Sequence, residues 1–229
     1  MFDGDALKEF LIGEGVSKVG YTRVSVDEFS NLDYGIALVL KLPSEAIQAL
    51  LDDEFKRYWK IFHRQIDILT EISLKGEKLI KDNGYDAFGL TMQRNECDME
   101  KLLSKLPYKT LATSSGLGWI GRSALFVCGE YGSAVALSGI LTDMPLEVGN
   151  PITDSYCDDC EECQKACPVD AINPTKWNSR LERSDIIDIE TCSEYVIDQF
   201  KSGLGCSKCL SNCRLTQEYF KNNNGLLFD

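Results

Sequence analysis

The stretch "CDDCEECQKACPVDA" carries Cys157, Cys160, Cys163 and Cys167, with Pro168 directly after the fourth. Four thiols at two-, two- and three-residue gaps leave the chain few ways to fold, because side chains so close in sequence must either pair with one another or share a bound metal. A second group, Cys192, Cys206, Cys209 and Cys213, follows within the next fifty residues. Eight of the ten cysteines therefore lie between positions 157 and 213.

Such clustering in a small secreted chain reads as a disulfide framework, and in a cytosolic protein of this size as a metal site. The first run is the C-x2-C-x2-C-x3-C-P spacing that holds 4Fe–4S cubanes, in which the fourth cysteine serves the other cluster. Crossing the fourth ligands gives one cluster on Cys157, Cys160, Cys163 and Cys213, and another on Cys167, Cys192, Cys206 and Cys209. Zinc or disulfides are the alternatives, and the proline after the fourth cysteine favours the cubanes. The gap from Cys192 to Cys206 leaves room for an inserted helix, "SEYVIDQFKSG". Asp158, Asp159, Glu161 and Glu162 lie between ligands, either as a solvated acidic loop or as charge that lowers a cluster's potential. Of the two remaining cysteines, Cys128 ends an apolar strand and reads as core packing, whereas Cys97 sits at a predicted helix start, where a thiolate is favoured.

The N-terminal part reads as alternating helices and strands. A first helix from Asp5 to Gly13 is followed by strands in "VSKVGYTRVSV" and "YGIALVLKL". A long helical stretch then runs from Glu45 to about Asp82, with a break allowed near "LTEISLKG". "YDAFGLTM" reads as a strand, "CDMEKLLSKL" as a helix, and "YKTLATSSGLGWIG" as a helix entering a glycine-rich turn; "SALFVC" and "GSAVALSGILTD" are two more strands. These predict an α+β fold with a domain boundary near residue 150: residues 1–149 as an α/β sandwich and residues 150–229 as the cysteine-rich domain. His63, the one histidine, lies in the long helix and reads as a surface or core residue.

"TSSGLGWIGRSALFV", then "GSAVALSGILTDMPL" and the double cysteine group, resemble the epoxyqueuosine reductase family, relatives of corrinoid-dependent reductive dehalogenases. The resemblance implies a nitroreductase-like domain, akin to cobalamin-processing proteins, joined to a ferredoxin-like domain with two 4Fe–4S clusters. It further implies an iron–sulfur reductase passing electrons from an external low-potential donor to a corrinoid (cobalamin) or small-molecule substrate. Gly116, Gly118, Trp119 and Gly121 are then the cofactor-binding candidates, the glycines by close backbone approach and the indole as a flat wall. A tight helix-to-strand turn explains the same glycines equally well. Tyr108 and Lys109 are the candidate proton donors, since the acidic residue that tRNA-modifying members carry before the glycine motif has no counterpart between Lys101 and Gly116. The family's C-terminal helical extension is also expected to be missing. An electron-transfer protein and a reductive activator of a partner corrinoid protein are the competing functions.

The N-terminal "MFDGDALKEF" lacks the basic start of a signal peptide, and no apolar run nears the ~20 residues of a membrane span, so a cytoplasmic protein without membrane contact is expected. With 36 acidic against 24 basic residues and a formal charge of -12, nucleic acid is the disfavoured partner.

Overall fold

The computed structural model describes residues 2–25, 29–95, 97–98, 103–104, 106–201 and 205–223. In chain order the first elements are α1 (Gly4–Gly13), β1 (Lys18–Arg23), β2 (Tyr34–Lys41), α2 (Ser44–Leu51), α3 (Phe55–Asp82) and β3 (Ala87–Leu90). Then come β4 (Cys97–Asp98), β5 (Leu103–Ser104), α4 (Tyr108–Ser114), β6 (Trp119–Ile120), β7 (Phe126–Val127) and β8 (Val135–Thr142). The cysteine-rich part carries α5 (Glu162–Lys165), α6 (Ile189–Lys201), α7 (Lys208–Ser211) and α8 (Arg214–Asn223). The mixed α and β content matches the expected α+β class.

The chain forms two compact units. One comprises Met1–Lys41, Arg64–Leu117 and Ala136–Ile152; the other comprises Leu42–His63, Gly118–Val135 and Thr153–Asp229. Two segments from the first 150 residues thus fold together with the cysteine-rich part.

The first unit is built on a four-stranded sheet of order β1-β2-β8-β3. β1 and β2 run antiparallel, with Lys18 opposite Val39 and Arg23 opposite Tyr34; β3 and β8 run antiparallel, with Ala87 opposite Thr142. β2 is buried along six consecutive residues, as its unbroken apolar run demands of a central strand covered on both faces. The two covers can be read from neighbouring residues of β8, which point to opposite faces. At Gly139 a methyl group would stand 2.7 Å from Leu111 of α4, while Ile140 lies against Gly76 of α3, 2.5 Å from where a methyl would be. The sheet is therefore sandwiched between α4 on one side and α3 on the other, and Leu111 fits a hollow left by Gly35 and Gly139.

Two local expectations change. The long helical stretch breaks at Asp52 and Asp53, not near Leu69–Gly76. Asp53 takes a left-handed φ of +57°, which a short polar side chain tolerates, and α3 continues through Gly76 because the absent side chain admits Ile140. Of the expected helix in "CDMEKLLSKL", the described residues form an antiparallel pair, Cys97 opposite Ser104 and Asp98 opposite Leu103. Residues 99–102 and 105 lie outside the described part.

Glu77, on α3, is a buried carboxylate that no local pattern singles out. It accepts from the Gly89 N–H at 3.0 Å, from Lys81 at 2.7 Å and from Arg94. Burial pushes its pKa up, but these three donors outweigh burial and hold it below the usual carboxylate value.

Candidate functional site

In the second unit the chain after Tyr156 makes a tight turn in which the Cys160 N–H donates to the Cys157 carbonyl at 3.0 Å. Asp158 sits at the turn with φ +48°. α5 follows at once and carries Cys163; Cys167 closes it, its N–H donating to the Gln164 carbonyl at 3.0 Å. Asp188 starts α6 by accepting from both the N–H and the hydroxyl of Thr191, at 3.0 and 2.7 Å, which places Cys192 in the first turn. α6 is the expected inserted helix.

Cys206 precedes α7, Cys209 lies within it, and Cys213 occupies the joint to α8. That joint is fixed from the far side. The fully buried Thr216 of α8 accepts from the Ser133 N–H at 3.0 Å, and the Tyr219 hydroxyl donates to the Leu42 carbonyl at 2.8 Å.

The result is a cavity lined by Cys157, Cys160, Cys163 and Cys213, with Trp119, Gly121, Arg122 and Tyr156 around it. Burial, followed by Cys157, Cys213 and Cys160, pushes the Cys163 thiol up to about 11. Burial likewise pushes Cys209 up to about 12, and its thiol neighbours are Cys206, Cys163, Cys192 and Cys167. Cys192 is raised by burial, then by Cys206 and Cys167. Four thiols share the cavity, Cys167, Cys192, Cys206 and Cys209 neighbour one another, and Cys163 is close to both groups. Cys163, Cys167, Cys192 and Cys209 also pack on an apolar floor of Ala171, Ile172, Ile186 and Ile187. No described cysteine is in a disulfide. Among the described residues no three Cys, His, Asp or Glu side chains gather as one metal ion would require.

The glycine-rich turn divides between two roles. Gly116, at φ +74°, ends α4: its N–H donates to the Thr113 carbonyl at 3.1 Å and the Leu117 N–H to that of Ala112 at 3.0 Å, the paired closure of a Schellman motif. A side chain there would meet the Asn150 carbonyl at 2.5 Å. At Gly118 a methyl would lie 2.2 Å from the Val127 carbonyl on β7. The protein's own backbone fills both approaches. Gly121 and Trp119 line the thiol-bearing cavity: a methyl on Gly121 would meet the Val127 side chain at 2.8 Å and stand 3.6 Å from the Cys157 sulfur, and the buried indole reaches that same sulfur.

Tyr108 donates its hydroxyl to the Leu90 carbonyl at 3.1 Å, and burial raises its pKa, the opposite of what a facile proton donor needs. Lys109 stands beside it in the first turn of α4. His63 packs edge-on against Trp59, ring centroids 4.4 Å apart. Cys128 is fully buried in packing, as expected, whereas the Cys97 side chain lies outside the described residues. Arg122 was missed by sequence reasoning, although a lone cation inside the otherwise apolar run "GWIGRSALFV" was a usable signal.

No family model matches the chain. It is 30% identical over 131 residues to an epoxyqueuosine reductase of Leadbetterella byssophila, covering 51% of this chain and 42% of the relative. With an epoxyqueuosine reductase of Aliivibrio fischeri it shares 28% identity over 200 residues, 80% of this chain and 46% of the relative. The chain is a relative of the epoxyqueuosine reductases. It spans less than half the length of the curated relatives it matches. Among solved structures, an epoxyqueuosine reductase in complex with an epoxyqueuosine-modified tRNA-Tyr stem loop shares the fold, with a TM-score of 0.66 at 18% identity over 93% of this chain and 65% of that one. A catabolic reductive dehalogenase bound to 3-bromo-4-hydroxybenzoic acid reaches 0.73 at 18% identity, over 93% of this chain and 31% of that one.

The tRNA complex overturns the charge-based expectation that nucleic acid is a disfavoured partner. Net charge sums over the whole surface, whereas a phosphate backbone is met by a local patch. Among the described residues no helix is long and apolar enough to cross a membrane.

Proposed function

We propose that the chain is an iron–sulfur reductase with two 4Fe–4S clusters, one held by Cys157, Cys160, Cys163 and Cys213 and the other by Cys167, Cys192, Cys206 and Cys209. The observation that carries this reading is the shared cavity of Cys157, Cys160, Cys163 and Cys213, which brings a distant fourth thiol to a local three-thiol run. The donor set fits the group. A cubane takes one thiolate at each of four separated iron corners, which suits a cavity lined by four cysteines, whereas zinc would draw the same sulfurs to about 2.3 Å from one point. Bound there, the clusters supply one-electron transfer at low potential. The protein's part is to hold the thiols, to keep water from one side with Trp119 and Tyr156, and to fix the loop from Cys157 to Cys160.

On this reading the nitroreductase-like part is drawn from residues 1–149 and the ferredoxin-like part from residues 150–229, with Leu42–His63 and Gly118–Val135 packing with the latter. A corrinoid remains a candidate electron acceptor because one fold neighbour is described through B12-dependent dehalogenation. Gly116 and Gly118 do not offer it a cradle, and no step is assigned to it. That commitment of the two glycines favours the second reading, direct transfer from a cluster to a small substrate or a protein partner. Epoxyqueuosine in tRNA is the first substrate to test, as the one named by the relatives.

The deciding experiment is anaerobic reconstitution with iron and sulfide, followed by spectroscopy with and without cob(II)alamin, and complementation of a strain lacking epoxyqueuosine reductase. Eight iron per chain and restored queuosine support the full reading; a chain that takes up no iron overturns it.

A further inference from the structure

Arg122 is 5% exposed and lines the thiol-bearing cavity. Among the described residues its guanidinium has only neutral hydrogen-bond partners. One terminal nitrogen donates to the Pro174 carbonyl at 2.9 Å and to the Gln164 side-chain oxygen at 3.5 Å, and the other to the Asp158 carbonyl at 3.1 Å. Its Nε is buried and has no hydrogen-bond partner among the described residues.

The carboxylates between the cysteines of the first run are engaged elsewhere or turned to solvent. Asp159 pairs with Lys176, Glu161 and Glu162 pair with Lys165, and Asp158 is exposed. A buried cation lacking an anionic partner is costly to keep. The group that would repay that cost is an anion in the cavity. Four thiolates around a cubane carry net negative charge, and the charge grows by one with each electron accepted.

We infer that Arg122 is the buried counter-charge of the cluster at Cys157, Cys160, Cys163 and Cys213, and that it raises that cluster's reduction potential. The inference rests on the two-cluster reading above. Reduction adds one electron to the cluster and removes nothing; the positive charge already in place favours the reduced form. At the same time the fork of donors ties the Asp158 carbonyl, and with it the turn between the first two ligands, to the Pro174 segment. Arg122 is thus a positioning residue as well as an electrostatic one, and charge is the part that a structural role alone does not supply.

The test compares the reconstituted full chain with Arg122→Gln and Arg122→Lys, following both clusters by electron paramagnetic resonance during titration with dithionite and mediators. In Arg122→Gln the reduced-to-oxidised ratio of one cluster at fixed potential is expected to fall at least tenfold, about 59 mV for a one-electron couple. The other cluster, and both clusters in Arg122→Lys, should stay within threefold of the unsubstituted chain. Equal potentials in an Arg122→Gln protein that retains eight iron would overturn the inference while leaving the cluster reading intact. If Arg122→Gln fails to hold the first cluster, Arg122→Lys decides: a loaded protein with an unmoved potential supports the counter-charge, and a second failure to load refutes it in favour of the hydrogen-bonded fork. An unsubstituted chain that takes up no iron overturns the cluster reading and this inference together.

Discussion

The indole N–H of Trp119 donates to the Sγ of Cys157 at 3.5 Å, linking the glycine-rich turn to the first thiol of the cysteine run. Hydrogen bonds to ligand sulfur stabilise the more electron-rich state and so raise a cluster's potential. Trp119→Phe keeps the aromatic contact with Tyr156, whose ring centroid lies 5.2 Å away, and removes only the donor. The expected result is full iron content with a small downward shift of one potential, read by the same redox titration. Trp119→Ala also empties a buried site and should cost about 3–5 kcal/mol of stability in denaturant unfolding.

Ligand crossing has a direct test. Cys157→Ser and Cys213→Ser should damage the same cluster signal, while Cys167→Ser damages the other, and the unsubstituted chain should hold about eight iron and eight sulfide. Cys163→Ser and Cys167→Ser both destroying one shared signal would show that each cluster draws its ligands from a local run.

The glycine turn separates two readings by what fails first. Because the Val127 carbonyl already occupies the space beside Gly118, Gly118→Val should disrupt the β6–β7 pair and lower iron content along with any response to cob(II)alamin. A turn that served a corrin face alone would lose the cob(II)alamin response and keep its iron. At Gly116, even alanine must adopt φ +74° against the Asn150 carbonyl, and a loss of at least ~1 kcal/mol is expected in unfolding experiments.

Glu77 links stability to pH. Its folded pKa lies below the unfolded value of 4.5, so its ion pairs add stability above that value, and the contribution is lost as pH falls through the depressed folded value. Thermal unfolding between pH 7 and pH 3 should show the Glu77→Gln protein less stable than the unsubstituted chain at neutral pH, with the gap narrowing in acid. A constant gap would mean that the carboxylate acts through shape and not charge.

The cysteine run was legible because its information is local: ligand spacing, a proline, and thiols whose chemistry has few other uses. β2 was legible for a similar reason, since an unbroken apolar run fits only a strand buried on both faces. The glycines show where local reading stops. Gly116 and Gly118 carry the same letter as Gly121, yet what each faces, the Asn150 carbonyl, the Val127 carbonyl, or the Val127 side chain and the Cys157 sulfur, is decided by how the chain folds back on itself. The break at Asp53 rests on a backbone angle that aspartate tolerates but does not announce. The acidic residues between the cysteines were open to two readings, a solvated loop or a tuned charge; in the fold they are exposed or paired with lysine, and among the described residues Arg122 is a buried cation beside the thiols. Charge counted along the chain says little about charge felt inside it.

The placement of Cys213 at the joint between α7 and α8 also sets an order of events during synthesis. A ribosome adding about 5–20 residues per second delivers Cys163 roughly 3 to 10 s before Cys213. Through that interval the nascent chain presents three thiols of the cavity without the fourth, and the α8 contacts that fix the joint, Thr216 to Ser133 and Tyr219 to Leu42, do not yet exist. On the two-cluster proposal, metal delivered early would meet an open, three-cornered site, and secure loading would wait until Cys213 and the α8 contacts had been made.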